Sequence, residues 1–454
     1  MNLVTFIILT LGFTYAVLLA RRYHLPLMTS VVSIFLLSAQ YVLVEQRISG
    51  VPARLIATIL SLTLLSVALL KRRLVIRAPQ NERLYVRFWL LFMGAGFFSL
   101  TANGSIESFE ALLNFAGRYG FALLAFFLLV GLARRPSGAF MLIGWLFLIA
   151  SANFFFALAQ YLRVDAAFAI HDSLFPFSQE REQELKSLGQ ITSFGYLPGL
   201  STYSINTGYI LACFGLLGTG LALHFKSRLI KILTLLLVVA VTIVGSSLIL
   251  SRSSIIFSSV VLLPLWFILL RRQARLIFSF ILFGTLVAWL LFSNIAFNAF
   301  IGTMPQASHL NTLADAHRPQ LFLDGLAVFI NHPIFGNFKQ AIASGDINMG
   351  LHNFLINSLV IFGLVGTIPM LIFIGVSLHV CYRAVVACYA YRSNYIIAMS
   401  SFGAMLVYLL KSLVHNESVV TSGILYSILV AITLGAANES TSSVHRSTVL
   451  AQNQ

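Results

Sequence analysis

Charge is what this chain has least of. Of its 454 residues only 9% are Asp, Glu, Lys or Arg, against 59% hydrophobic, and the mean hydropathy is +0.91. A soluble domain carries about a quarter charged residues, so a water-soluble fold is excluded. Cysteine is scarce too. Cys213, Cys381 and Cys388 lie in or beside apolar runs with no metal-ligand spacing, which argues against a disulfide framework and against a zinc site. The sequence has no Gly-rich phosphate loop, no HExxH, no GxSxG and no Asp-x-Asp pair at an outer membrane end. Neither nucleotide-driven chemistry nor a metal ion or other cofactor is therefore expected. The start of the chain is expected to be a retained helix rather than a cleavable leader. The first apolar run, residues 3–20, is followed rather than preceded by Arg21 and Arg22, the order of a retained helix.

What remains is a series of apolar runs about 20 residues long, the length that crosses a bilayer as a helix. Hydrocarbon offers no partner to an unpaired backbone group, so such runs must be helical; a barrel would alternate weakly instead. The expected fold is an all-α polytopic transmembrane bundle of 12 or 13 spans. We place the spans near 3–20, 25–44, 52–70, 84–102, 113–133, 139–161, 204–225, 229–249, 254–270, 276–298, 353–380, 394–414 and 420–437. Residues 1–437 form one transmembrane domain, with long loops at about 162–203 and 299–352. Residues 438–454 read as a polar, disordered tail.

The charges that do occur are sorted. Basic clusters at Arg21-Arg22, Lys71-Arg72-Arg73, Arg134-Arg135, Lys226/Arg228/Lys231, Arg271-Arg272 and Arg383/Arg392 fall on alternate span ends, and the positive-inside rule makes those ends cytoplasmic. That side takes 19 of the 29 Lys and Arg but only Glu82 and Glu439 of the 14 acids, so both long loops face outward. The same bias accounts for the net charge of +15 without a nucleic-acid partner. No internal repeat stands out, which disfavours an inverted-repeat transporter.

In a membrane protein, chemistry concentrates in the few polar residues at membrane depth and in the longer loops. Arg252 sits in "SSLILSRSSIIFSS", between two apolar runs that leave almost no loop. It is either a snorkelling arginine at the interface or a planar fork of donors for phosphate oxygens. Arg318 opens an amphipathic stretch with Leu321, Phe322, Leu326, Phe329 and Ile330 on one helical face, ended by Asn331-His332-Pro333. It could hold an anion at a helix start or merely pair with Asp315.

His352 and Asn353 lie where an outer loop meets a span, in "GLHNFLINSLVIFGLVG". A histidine there can titrate near neutrality and take a hydroxyl proton, or it can simply be a hydrogen-bonded residue at a helix start. Asn353 could cap that helix or orient a substrate. Gly363 and Gly366 could admit a close neighbouring helix. In the loop containing Tyr196, the stretch from Gly195 to Tyr203 could line a carbohydrate groove or form a plain turn back into the membrane. His415, with Glu417 on a third outer segment, could join the same site. His309, His317 and His332 are weaker candidates.

The arrangement resembles the O-antigen ligases and the related polysaccharide polymerases, bacterial inner-membrane glycosyltransferases of the GT-C-like class. Three features carry the resemblance. His352-Asn353, nine residues, then Gly363-Leu-Val-Gly366 fits the ligase pattern. Arg318 with the amphipathic stretch ending in "HPIFGNF" resembles the family's large periplasmic loop. The third is the arginine of "LSRSS". Together they cover residues about 190–370.

The resemblance implies a glycan donor on undecaprenyl pyrophosphate, with Arg252 and Arg318 on the pyrophosphate and His352 acting on the acceptor hydroxyl. Asn353, Tyr196 and His415 would orient substrate. The implied reaction is metal-independent and inverting, and needs no cofactor. The acceptor would be lipid A–core in a ligase of lipopolysaccharide biosynthesis, or a second lipid-linked repeat in a polymerase. The site would face the periplasm. The remaining readings are a transporter or flippase, which would need ionisable residues in mid-span and broken helices, and a non-catalytic scaffold of envelope assembly.

Overall fold

The computed structural model describes residues 47–48, 51–52, 79–107, 109–134, 136–174, 199–201, 204–249, 251–270, 281–284, 320–337, 353–415 and 423–437, with a few single positions between them. The expected spans at 3–20, 25–44 and 52–70, most of 276–298, and the tail at 438–454 lie outside the described residues. So do Tyr196, His309, His317, Arg318 and His352.

The other nine expected spans all fall on helices. These are α1 (Gln80–Ala102), α2 (Phe109–Ala133) and α3 (Pro136–Tyr161). After a short α4 (Asp165–Leu174), α5 (Ser204–Tyr209) passes through a π-turn at Ile210–Phe214 into α6 (Gly215–His224). The next helix is built the same way, with α7 (Arg228–Val239), a π-turn at Ala240–Val244 and α8 (Gly245–Leu248). Then come α9 (Arg252–Leu269), a surface helix α10 (Gln320–Asn331), α11 (Phe354–Ala387), α12 (Arg392–Ser412) and α13 (Ile424–Ala437). Among the described residues seven helices are long and apolar enough to cross a membrane. The protein is a multi-pass α-helical membrane protein. Arg47–Ile48 and Val51–Pro52 pair as a two-residue antiparallel ladder.

Helices in lipid gain little by hiding apolar surface from an equally apolar solvent, so they associate through close packing and interhelical hydrogen bonds. Both are visible. Tyr85, Trp89 and Phe92 of α1 interlock with Phe126, Phe373 and Tyr426, rings 4.3–6.1 Å apart, and Tyr85 Oη lies 2.9 Å from Ser427 Oγ. Gly366 brings α11 against α1: a Cβ there would lie 3.5 Å from Gly96 Cα. Trp266 Nε1 donates to Thr219 Oγ1 at 3.2 Å. Exposed Leu90, Leu91, Phe98 and Leu148 mark lipid-facing sides rather than sticky patches.

Gly363 does something different from what the sequence suggests. Instead of admitting a neighbouring helix, it breaks α11 (φ 58°, ψ −160°), and the turn at residues 333–337 fills the break with backbone. Asn337 N donates to Val360 O (2.8 Å), Leu364 N to Pro333 O (2.8 Å) and Val365 N to Ile334 O (3.1 Å). From α1 and its end, Asn103 Nδ2 donates to Phe335 O and Ile361 O, and the Ser99 hydroxyl shares its proton between Phe335 O and Phe362 O. A broken helix at membrane depth survives only if the freed groups find partners inside the protein. Here they do. Gly336 (φ 66°) meets Gly363 so closely that a Cβ on either would collide with the other's backbone.

α10 is the helix expected after Arg318. Val328 is buried and Leu321 packs beside it, against Ile356, Leu359 and Val360 of α11, whereas Phe322, Leu323 and Ile330 are exposed. Of the expected stripe, Leu321 packs inward while Phe322 and Ile330 are exposed, leaving an apolar side for lipid.

Candidate functional site

One end of the bundle gathers polar side chains. α8 stops at Leu248 and α9 starts at Arg252, so the short connection expected around Arg252 is present. Arg252 is the first residue of α9 and is exposed. The next residue, Ser253, has its Oγ 2.6 Å from His415 Nε2, which ties the start of α9 to the segment after α12. His415 also faces the Tyr209 ring edge-on at 6.4 Å.

Asn353 is the N-cap of α11: its Oδ1 accepts from Leu355 N (2.9 Å) and Ile356 N (3.1 Å). Its Nδ2 donates to Leu413 O at 2.9 Å, so the start of α11 is fastened to the end of α12 two residues from His415. Three of the six sequence-derived candidates, Arg252, Asn353 and His415, thus share one end of the bundle. Arg318, His352 and Tyr196 fall outside the described residues, but His352 directly precedes Asn353 in the chain.

Under this surface lies a residue that sequence reasoning passes over. Lys411, in the last turn of α12, is fully buried. Its Nζ donates to Ser251 Oγ (3.3 Å) and to Ser254 Oγ, and sits 4.3 Å from the centre of the Tyr209 ring. Ser251 Oγ and Ser254 Oγ are 2.7 Å apart, and Ser254 Oγ donates onward to Gly208 O at 3.0 Å. Tyr209 Oη in turn donates to Ser412 Oγ at 3.4 Å. The cluster joins α5, α9 and α12. Gly208 leaves the room for it: a Cβ there would lie 2.9 Å from Ser251 Oγ and 3.0 Å from Ser254 Oγ. A lone lysine among apolar span residues was the available signal, because an ionisable group at membrane depth costs several kcal/mol unless it is used.

The loop expected at 162–203 begins with α4, a helix that hydropathy alone does not show. His171 of α4 is buried, with Nε2 3.2 Å from Ser201 O and Nδ1 3.3 Å from Asp172 Oδ1. Gln160 Oε1 accepts from Gly199 N (3.0 Å) and Asn153 Oδ1 from Leu200 N (3.0 Å). Gly199 takes φ 64°, where a Cβ would strike Thr207. Residues 199–201 therefore form a clamped turn back into the membrane.

The opposite end carries a different set. Glu82, buried, is held by both Arg134 Nε (3.2 Å) and Arg134 Nη2, and His224 Nε2 lies 2.6 Å from Ser393 Oγ. The described basic residues Arg83, Arg87, Lys226, Arg228, Lys231, Arg383 and Arg392 belong to that end.

The fold and this division of charge define a polytopic helical membrane protein with a polar cluster at one face. The chain matches no protein-family model and no curated protein.

Proposed function

We propose that the protein is a metal-independent, inverting glycosyltransferase of the bacterial inner membrane, moving a glycan from undecaprenyl pyrophosphate to an acceptor hydroxyl at the periplasmic face. The proposed acceptor is lipid A–core, which makes the protein an O-antigen ligase. The observation that carries the reading is the gathering of Arg252, His415 and the Asn353 cap, from three distant parts of the chain, at the end opposite the basic clusters. By the positive-inside rule that end faces the periplasm.

In this reading the roles of His352 and Arg318 come from the family resemblance. The acceptor hydroxyl passes its proton to the His352 imidazole as its oxygen attacks the anomeric carbon. The carbon–oxygen bond to the pyrophosphate breaks on the far side, and undecaprenyl pyrophosphate leaves with the electron pair. Arg252 and Arg318 offset the charge that builds on the leaving oxygens, a fixed electrostatic contribution of the kind that dominates such steps. His352 then returns its proton to solvent. The Asn353 cap and its tie to Leu413 would hold the neighbouring histidine in place.

The test offers purified protein a lipid-linked glycan with either lipid A–core or a second lipid-linked repeat, and reads product size on a gel. Transfer to lipid A–core is expected. A ladder of lengthening lipid-linked glycan would reassign the protein as a polymerase. No transfer, together with movement of the lipid-linked glycan across vesicles, would replace the enzyme by a flippase.

A further inference from the structure

The end of the bundle that carries the basic residues holds two kinds of arginine. Arg134 is engaged by the buried Glu82 carboxylate. Arg383, near the end of α11, is exposed, and among the described residues no carboxylate pairs with it. It borders a cleft of about 290 Å³ between the last turns of α11 and the first turn of α1, lined by Asn81, Tyr382, Arg383, Val386 and Ala387. A guanidinium, a phenol and an amide, all hydrogen-bond donors, thus meet there from two helices. A snorkelling arginine needs only water. This one is set beside two further donors and an apolar wall.

The surroundings of the cleft are those of a lipid headgroup. Ile368, Ile372, His379, Tyr382 and Val386 recur at helical spacing and are all exposed, so the side of α11 that meets lipid runs into the cleft. Tyr382, Tyr389 and Tyr391 are exposed from there to the turn after α11, as aromatic residues are at headgroup level. Arg83 and Arg87, exposed in the first two turns of α1, add positive charge to the same end. By the positive-inside rule this end is cytoplasmic, and basic pockets between helices on that side suit anionic headgroups. We propose that the cleft binds the headgroup of an anionic phospholipid of the cytoplasmic leaflet. The Arg383 fork meets the phosphate oxygens, Tyr382 and Asn81 donate beside it, and the acyl chains lie along Ile372 and Ile368. The bound lipid bridges α1 and α11 at the end opposite the proposed transfer site, and the site stands whether or not the protein transfers glycans.

The experiment measures lipid binding to the full-length protein in detergent by native mass spectrometry, with phosphatidylglycerol as the anionic probe and phosphatidylethanolamine as the zwitterionic one. The wild type should retain phosphatidylglycerol in preference. Arg383→Gln should weaken that binding about fivefold, the worth of one basic residue at an anionic surface. Val386→Trp fills the cleft without changing any charge and should weaken it at least as much; it serves if Arg383→Gln does not insert. Arg392→Gln removes an exposed arginine of the same end that does not line the cleft, and should bind like the wild type. An excess of soluble glycerol phosphate, a headgroup without chains, should not displace the lipid. An equal loss in Arg392→Gln would show diffuse attraction by the basic end and overturn the site. Wild-type binding by Arg383→Gln or Val386→Trp, equal retention of the two lipids, or displacement by glycerol phosphate would each overturn it as well.

Discussion

Two polar regions reach membrane depth at the same end of the bundle, and they are built in opposite ways. The break at Gly363 is made of backbone. Its freed carbonyls and amides are matched by the 333–337 turn, Ser99 and Asn103, and two glycines close the seam. The cluster at Lys411 is made of side chains. It holds an ammonium and the hydroxyls of Ser251, Ser254, Tyr209 and Ser412, with His415 beside the Tyr209 ring, and it leads to an exposed arginine. A region whose hydrogen bonds close on themselves is scaffold. The Lys411 cluster instead runs to the surface at Arg252, the residue that the proposed function sets on the pyrophosphate. The comparison teaches that polarity in a membrane span is sorted by following each donor to its acceptor, not by counting polar residues.

That contrast can be broken. The largest expected effect is on the reactive side: His352→Ala should lower glycan transfer by about 10²–10⁴-fold, the usual worth of a general base, with an unchanged detergent-melting curve. A variant that transfers normally would remove His352 from the chemistry. On the scaffold side, Gly336→Ala should act through stability. The left-handed backbone costs about 1–3 kcal/mol and the Cβ has no room at Val360 O. Lost folded yield is expected, and a normal melting point would show that the seam yields. Ser99→Ala should be milder, about 1–3 kcal/mol for leaving buried carbonyls short of a donor, read as a lower melting temperature with transfer per folded molecule unchanged. Arg252→Lys should reverse the pattern, with melting unchanged and donor affinity down by about tenfold because a point charge does not replace a fork. The smallest effect belongs to Asn353→Ala. It removes a cap worth about 1 kcal/mol, and a loss of transfer larger than the loss of stability would tie the cap to His352.

Much of the fold is legible in the sequence because hydrophobic length is a direct physical requirement of the bilayer. Nine expected spans lie on helices, and the Asn353 cap follows from an asparagine placed before an apolar run. The seat of α10 on α11 is not legible, since a face that meets lipid and a face that meets protein are both apolar, and Val328, outside the expected stripe, is the residue buried against Ile356 and Val360. The break at Gly363 is hidden for the same reason: an apolar run reads as continuous, and only the turn 26–30 residues earlier in the chain shows where it opens. Of the site, Arg252 and His415 carry polarity that stands out against their surroundings. Lys411 stands out as strongly, but its surroundings depend on Gly208, Tyr209, Ser251 and Ser254 meeting it from two other helices, which no local pattern encodes.

The π-turn at Ile210–Phe214 has a consequence for helix phase. A π-turn is an α-helix holding one residue too many, and each residue turns a helix by about 100°. Everything on the outer side of that extra residue is therefore rotated against everything on the inner side. Gly208 and Tyr209 owe their aim at Lys411 to that offset. Deleting one residue from Ile210–Phe214 should leave a plain α-helix with Gly208 and Tyr209 still facing the ammonium, whereas straightening the turn with every residue kept would swing the outer half, like a bolt turned within its thread, until that space faced elsewhere.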